Sequence, residues 1–243
     1  MDTIWYIVYI ASIALFFPSL ILGVIAQNKT VSTFEKYSKY KSICGITAQE
    51  LSLVLLANAG VKDVRIEEIN GKLTDCYDPK NKVLKLSTST INSTSMAALG
   101  VCAHEVGHAI QDNQKMFTFR LRSAIVPVMN FFSKAFLPLM LIGSLLSFTF
   151  YLPQIGLYVL WASVISYGLS FIFYLVTLPL EYNASKRAGE ILTKCDFFTP
   201  EEVQASKKVL NAAIWTYVSA LATSMLYFLR FLSLANLLSD RRR

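Results

Sequence analysis

Four long stretches of the chain are almost entirely apolar, and more polar segments separate them. Residues 4–26 and 155–180 contain no charged side chain. A further stretch runs from about residue 124 to residue 151 with Lys134 inside it, and the last covers roughly residues 210–229. Because about 20 apolar residues suffice for a helix to cross a bilayer, this pattern predicts four transmembrane helices.

Shorter patterns between the first two stretches predict a small folded domain. The segment Thr47-Ala48-Gln49-Glu50 has the form of a capping box, which opens a helix that ends near Gly60. Residues 64–69 and 82–87 alternate in polarity as strands do, and the turn dipeptide Asn70-Gly71 follows the first of them. We therefore expect one helix and a short antiparallel sheet.

A second helix should follow this sheet. Ser93 or Thr94 can cap it, and it should continue to about Gln111. It contains His104-Glu105-Val106-Gly107-His108, which holds both histidines of the chain. Two histidines four residues apart project from one helical face and can bind one ion.

Glu105 cannot join this histidine pair as a ligand, but it can reach a water molecule on the same ion. Zinc acidifies such a water, and a carboxylate can take its proton while the water attacks a carbonyl. The pattern therefore predicts a Zn²⁺ site with His104 and His108 as metal ligands and Glu105 as the catalytic base.

A peptidase zinc has three protein ligands and one open position. The metzincin pattern does not supply the third ligand, because Gln111 and Gln114 stand where its glycine and third histidine belong. Asp112 lies too near the histidines on the same helix. Glu181 is the first carboxylate after the third apolar stretch and is the predicted third ligand. The alternative is an ordinary carboxylate at the membrane interface.

Three later acidic residues are weaker candidates, because they lie on a stretch predicted to be solvated: Glu190, Glu201 and Glu202. The position of Glu181 directly after an apolar stretch places the expected zinc close to the lipid headgroups. We therefore expect membrane proteins or their juxtamembrane segments as substrates. The strand around residues 83–86 could pair with an extended substrate through its edge, or it could be plain sheet structure.

Composition and charge support a membrane protein. Of 243 residues, 54% are hydrophobic and 16% are charged, whereas roughly a quarter of the residues in soluble domains are charged. The polar segments are rich in lysine and arginine, and the connection between the second and third stretches carries no charge. The positive-inside rule then predicts a cytoplasmic catalytic domain, although four crossings would place the arginines at 241–243 outside.

The net charge of +7 is explained by this topology and by anionic membrane lipid, so nucleic acid is not an expected partner. The four cysteines form no CxxC pair, which is consistent with a reducing compartment.

The chain resembles the YugP-type bacterial membrane-bound neutral zinc metallopeptidases over nearly its whole length. The matching segments are residues 32–40, 71–75, 77–79, 104–112, 178–188 and 208–213. This resemblance implies a peptidase with several membrane spans.

A looser similarity links the chain to the HtpX and CAAX prenyl protease group, in which a Glu-x-x-Ala-Asp motif supplies a zinc-binding glutamate. Glu181 and Ala184 match this motif, but Ser185 replaces its aspartate. Asn183 or Ser185 could instead orient a zinc histidine. Two further residues close to Glu181, Tyr182 and Arg187, are candidates for stabilising the oxyanion of the reaction.

The predicted fold is mostly α: four transmembrane helices plus a small α+β zincin-like catalytic domain of the gluzincin type. The predicted parts are transmembrane helix 1 (1–27), the catalytic domain (28–122), a transmembrane hairpin (123–180), the third-ligand segment (181–209), and transmembrane helix 4 with a basic tail (210–243). The expected protein is a multi-pass zinc endopeptidase of the cell membrane. The alternative is a non-catalytic zinc-binding membrane scaffold or sensor, whose metal site would close with a fourth protein ligand.

Overall fold

A computed structural model describes residues 2–148 and 152–240, and within these ranges the protein is mostly helical with one small sheet. The elements in chain order are α1 (Asp2–Ser38), α2 (Ala48–Asn58), β1 (Arg65–Ile69), β2 (Cys76–Asp78), β3 (Val83–Ser87), α3 (Met96–Asn113), α4 (Phe117–Phe148), α5 (Pro153–Thr193) and α6 (Pro200–Asp240).

Helices α1, α4, α5 and α6 are each long and apolar enough to cross a membrane. They contain the four apolar stretches as far as the structure describes them. The end of the second stretch, residues 149–151, and the basic tail at 241–243 lie outside the described residues. The chain divides into two compact units. The apolar unit lies within Met1–Ile25, Arg122–Leu178 and Tyr217–Arg243, and the polar unit comprises Ala26–Leu121 and Pro179–Thr216.

Aromatic rings join the helices of the apolar unit. Tyr227 of α6 contacts Phe16 of α1 and Tyr167 of α5, with ring centroids 4.7 and 5.1 Å apart. Phe136 of α4 lies 4.7 Å from Tyr167. Serine hydroxyls in these helices donate to carbonyls of their own helix, as Ser163 does to Leu160 at 2.6 Å, which satisfies them without water.

The sheet of the polar unit is mixed, so the prediction of an antiparallel sheet is wrong for one of its two strand pairs. The strand order is β1-β3-β2, with β1 parallel to β3 and β2 antiparallel to β3. Sequence reasoning missed β2, because three residues are too few to show an alternating pattern. Since β3 lies between its two neighbours, it has no free edge for a substrate, and the edge strands are β1 and β2.

The apolar core of the polar unit lies between α2, β3 and α3. It includes the fully buried leucines of these elements: Leu51, Leu84, Leu86 and Leu99. The capping box at Thr47 and Glu50 is present as predicted. The cap of α3 differs from the prediction by one or two residues. Ser95 caps this helix by accepting a hydrogen bond from the amide of Ala98.

Glu202 is fully buried, so the prediction of a solvated stretch is wrong at this residue. Its carboxylate accepts hydrogen bonds from the backbone amides of Ile43 (2.7 Å) and Thr199 (2.8 Å). The Thr199 hydroxyl in turn accepts from the Glu202 amide at 3.3 Å. This reciprocal pair caps α6 and ties its start to the segment between α1 and α2. Glu190 and Glu201 are exposed.

Candidate metal centre

Helix α3 places His104 and His108 one turn apart on the same face, with ring centroids 4.7 Å apart. The glycine between them allows a close approach to α5. A Cβ atom on Gly107 would lie 3.1 Å from the carbonyl oxygen of Ala184. Because backbone atoms cannot give way as a flexible side chain can, a larger residue here would push the two helices apart.

This approach brings Glu181 of α5 to the two histidines. Its carboxylate oxygen Oε2 lies 3.1 Å from Nε2 of His104 and 3.5 Å from Nε2 of His108. One ligand atom from each of the three residues lies within 4.8 Å of the others. Ligands at about 2.1 Å from a tetrahedral ion stand about 3.4 Å apart. The three predicted metal ligands are therefore brought together at a spacing that suits zinc.

The second ring nitrogen of each histidine also has a polar partner. Nδ1 of His108 lies 2.9 Å from the side-chain oxygen Oε1 of Gln111, and Nδ1 of His104 lies 3.1 Å from the Ser185 hydroxyl. Because an amide oxygen can only accept, Nδ1 of His108 is the donor and its Nε2 keeps a lone pair for a metal. Ser185, a candidate from the sequence, lies on the same face of α5 as Glu181, one turn further on.

Gln111 is itself held by α5, and the contacts extend outward from it. Its Nε2 donates to Oδ1 of Asn183 at 3.0 Å and to the carbonyl of Leu180 at 3.3 Å. Arg187 donates from Nε to the same Asn183 oxygen at 2.8 Å, and from Nη1 to Oε1 of Gln114 at 2.7 Å. Asn183, the other candidate for orienting a histidine, therefore acts on Gln111 rather than on an imidazole.

The two sequence candidates for stabilising an oxyanion are differently placed. Arg187 is engaged in the support of Asn183 and Gln114 just described. Tyr182 is exposed. The assignment of an oxyanion donor stays a hypothesis for both residues.

Glu105 is nearly buried at 9% exposure, and a neighbouring strand holds its carboxylate. The backbone amide of Tyr77 in β2 donates to Oε2 of Glu105 at 2.9 Å. The Tyr77 hydroxyl donates to Asp112 at 2.8 Å, and Lys82 lies 2.6 Å from the same carboxylate. Burial and this hydrogen bond raise the pKa of Tyr77, so the hydroxyl stays a donor. Strand β2 is thereby fixed against α3.

Gln111 is the residue that sequence reasoning missed. In the sequence it stands out only as a mismatch to the metzincin pattern. The information that could have identified it is its spacing, since residues three apart share a helical face and Gln111 follows His108 by three. Tyr77 could not have been found in this way, because it acts through its backbone amide.

Comparison with known proteins places the chain in a family. A sequence family described as "Putative neutral zinc metallopeptidase" matches residues 12–236. The chain belongs to this family. It is also 39% identical over 206 residues, which cover 85% of this chain and 88% of the relative, to the "Putative membrane protease YugP" of Bacillus subtilis (strain 168). No solved structure matches the chain.

The residues present fit the zinc that the family name implies. Two imidazoles and one carboxylate form the His₂Glu donor set found in zinc peptidases, which leaves one position open for water or substrate. The nearly complete burial of Glu181, at 1% exposure, adds to this fit, because a buried carboxylate is costly unless a cation or hydrogen-bond donors replace its hydration, and a metal ion would supply that charge.

The contact between Gln111 and His108 predicts a loss of metal affinity when the amide is removed. In Gln111→Leu, His108 loses the acceptor that fixes its ring, and we expect zinc affinity to fall by about 10- to 100-fold. Zinc retained by the purified protein during titration with a competing chelator measures this. Gln49→Leu, at an exposed position of α2, is the matched control and should retain zinc as the wild type does. Equal affinities for the Gln111→Leu variant and the wild type would contradict this role of Gln111.

Proposed function

We propose that the protein is a zinc-dependent endopeptidase of the gluzincin type that hydrolyses membrane proteins or their juxtamembrane segments. His104, His108 and Glu181 would hold the zinc, and Glu105 would act as the catalytic base. The main support is the convergence of the two Nε2 atoms and one carboxylate oxygen, with a polar side chain hydrogen-bonded to the Nδ1 atom of each imidazole.

The reaction requires an acidified water, a polarised carbonyl and a proton carrier. Bound zinc supplies the positive charge that acidifies the water and polarises the carbonyl. Glu105 is the proton carrier, since its carboxylate can take a proton from the attacking water and pass it to the leaving amine. The Tyr77 amide holds this carboxylate at Oε2, so its orientation does not depend on the substrate.

The substrate class is proposed from the position of the site along its helices. Glu181 directly follows the uncharged stretch 155–180 on the same helix, α5. Helix α4, another candidate span, begins at Phe117, only four residues after the end of α3. Of the two helices that carry the proposed metal ligands, α5 is itself a candidate membrane-spanning helix, and α3 is followed closely by another, α4. Peptide bonds close to a bilayer surface are the bonds that such a site would reach.

A Glu105→Gln variant separates the peptidase from a zinc-binding scaffold. The amide keeps the size of the side chain but cannot take a proton, so we expect cleavage to fall by at least about 100-fold. Zinc content should stay that of the wild type, because Glu105 is not among the three ligands. The measurement compares new N-termini in membranes that carry the wild type or Glu105→Gln, together with the zinc content of both purified proteins.

Glu201→Gln makes the same change at an exposed residue and should cleave as the wild type does. If membranes with the wild type and with Glu105→Gln show the same N-termini, the scaffold is supported and the peptidase proposal fails. Loss of zinc from Glu105→Gln would instead show that Glu105 is a ligand, and its assignment as the base would be wrong.

We further propose that the protein lies in the plasma membrane and that its polar unit faces the cytoplasm. Two exposed cysteines of this unit, Cys44 and Cys76, allow a test with a membrane-impermeant maleimide on intact cells. We expect labelling of the wild type only after permeabilisation. In a Cys44→Ser/Cys76→Ser background, Leu152→Cys adds an exposed thiol between α4 and α5, which should be labelled in intact cells. The reverse pattern would invert the topology.

A further inference from the structure

A basic cavity lies in the polar unit between α1 and α6 and shares no lining residue with the metal centre. Its volume is about 330 Å³, and its lining comprises one face of each helix. Helix α1 contributes Lys29, Thr33 and Lys36, which are spaced by four and three residues. Helix α6 contributes Lys208, Asn211 and Trp215, which are spaced by three and four residues. Residues at these spacings share a helical face.

The Lys36 ammonium lies 5.5 Å from the ring centroid of Tyr37 in this cavity, but no lining carboxylate balances the lysine charge. Within the described part of the chain, no carboxylate forms an ion pair with Lys29, Lys36 or Lys208. The acidic residue next to Lys36 is Glu35, which is paired with Lys72 at 2.7 Å. Three ammonium groups around one cavity repel each other, and an anion placed among them would relieve this repulsion.

The helices around the cavity are held together independently of any ligand. The Thr30 hydroxyl of α1 lies 3.0 Å from the carbonyl oxygen of Ala212 in α6 and 2.9 Å from that of Ala26 in its own helix, and it shares its one proton between these two acceptors. Behind the lysines, Phe34 of α1 and Val209 of α6 pack together with Ala97 of α3. The cavity is therefore a preformed feature of the polar unit.

The position of the cavity along both helices points to the membrane surface. Lys29 follows the end of the uncharged stretch 4–26 by three residues, which corresponds to about 5 Å along a helix. On α6, Trp215 is 57% exposed and lies two residues before Tyr217, where the apolar unit resumes. Tryptophan is enriched where headgroups meet hydrocarbon. Basic pockets between helices at this depth suit the headgroups of anionic lipids.

We propose that this cavity binds the phosphodiester headgroup of an anionic phospholipid. The ammonium groups of Lys29, Lys36 and Lys208 would contact the phosphate oxygens, and the Asn211 amide would add a neutral hydrogen-bond donor. The indole of Trp215 would lie at the boundary between headgroup and acyl chains. This binding does not depend on the peptidase reaction.

The test is native mass spectrometry of the full chain in non-ionic detergent, titrated with phosphatidylglycerol or phosphatidylcholine of equal chain length. We expect the first phosphatidylglycerol to bind at least about tenfold more tightly than phosphatidylcholine. The pocket variant Lys29→Gln/Lys36→Gln/Lys208→Gln should lose this preference. The control variant Lys39→Gln/Lys62→Gln/Lys80→Gln removes the same charge from exposed lysines outside the cavity and should keep it.

In a second pair of variants, each protein has one exposed asparagine replaced by aspartate, which adds one negative charge. Asn211→Asp puts a negative charge into the cavity and should also abolish the preference. Asn28→Asp places the same charge on α1 outside the lining and should not. If the pocket variant fails to fold, this pair decides the question.

Three results would overturn the proposal. The wild type could show no preference for phosphatidylglycerol, or the control variants could lose as much affinity as the cavity variants, which would indicate diffuse surface charge. Glycerophosphate could also displace the lipid at equal concentration, which would identify a soluble phosphate ester as the ligand. We expect glycerophosphate to compete at least about tenfold more weakly than the lipid, since it lacks acyl chains.

Discussion

The carboxylate of Glu181 is buried to 1% exposure against the imidazoles of His104 and His108, and this contact constrains the rest of the polar unit. An ionised carboxylate costs several kcal/mol to bury unless a cation or hydrogen-bond donors replace its hydration. Gln111 fixes Nδ1 of His108 as a donor, so the lone pair of the ring lies on Nε2. The imidazole can therefore offer positive charge to the carboxylate only if Nε2 binds a cation or a second ring proton. One divalent ion bound by the three groups would supply this positive charge.

The packing of α3 against α5 allows this contact. Helices α3 and α5 must approach closely for a residue of α5 to reach both imidazoles, and Gly107 provides the space opposite Ala184. Helix α6 packs on α3 in a similar way, since a Cβ atom on Gly100 would lie 3.1 Å from Ser206. The Ser206 hydroxyl also donates to the carbonyl of Met96 at 2.7 Å. The histidine helix is thus held on two sides by helices that continue into apolar stretches.

The sequence predicted the elements whose physical basis is local. Periodicity and capping identified α2, α3, β1 and β3, and the spacing of His104 and His108 with the position of Glu181 identified the three residues that the structure brings together. Features that depend on tertiary contacts were not predictable in this way. Strand β2 forms because β3 offers it a partner, and the mixed sheet follows from that pairing.

The same distinction explains the remaining differences. Glu202 looks like a surface residue in the sequence, but the amide of Ile43, distant in the chain, makes its burial favourable. Gln111 shares a face with His108 by spacing alone, yet its function depends on Asn183 and Leu180 of another helix.

The most direct test of the account is the position of the metal. Crystals of the zinc-loaded protein, measured at the zinc absorption edge, should show one anomalous peak within about 2.0–2.2 Å of Nε2 of His104, Nε2 of His108 and a carboxylate oxygen of Glu181. A peak bound to the two histidines with Glu181 distant from it, or with a fourth protein ligand in the open position, would contradict the account.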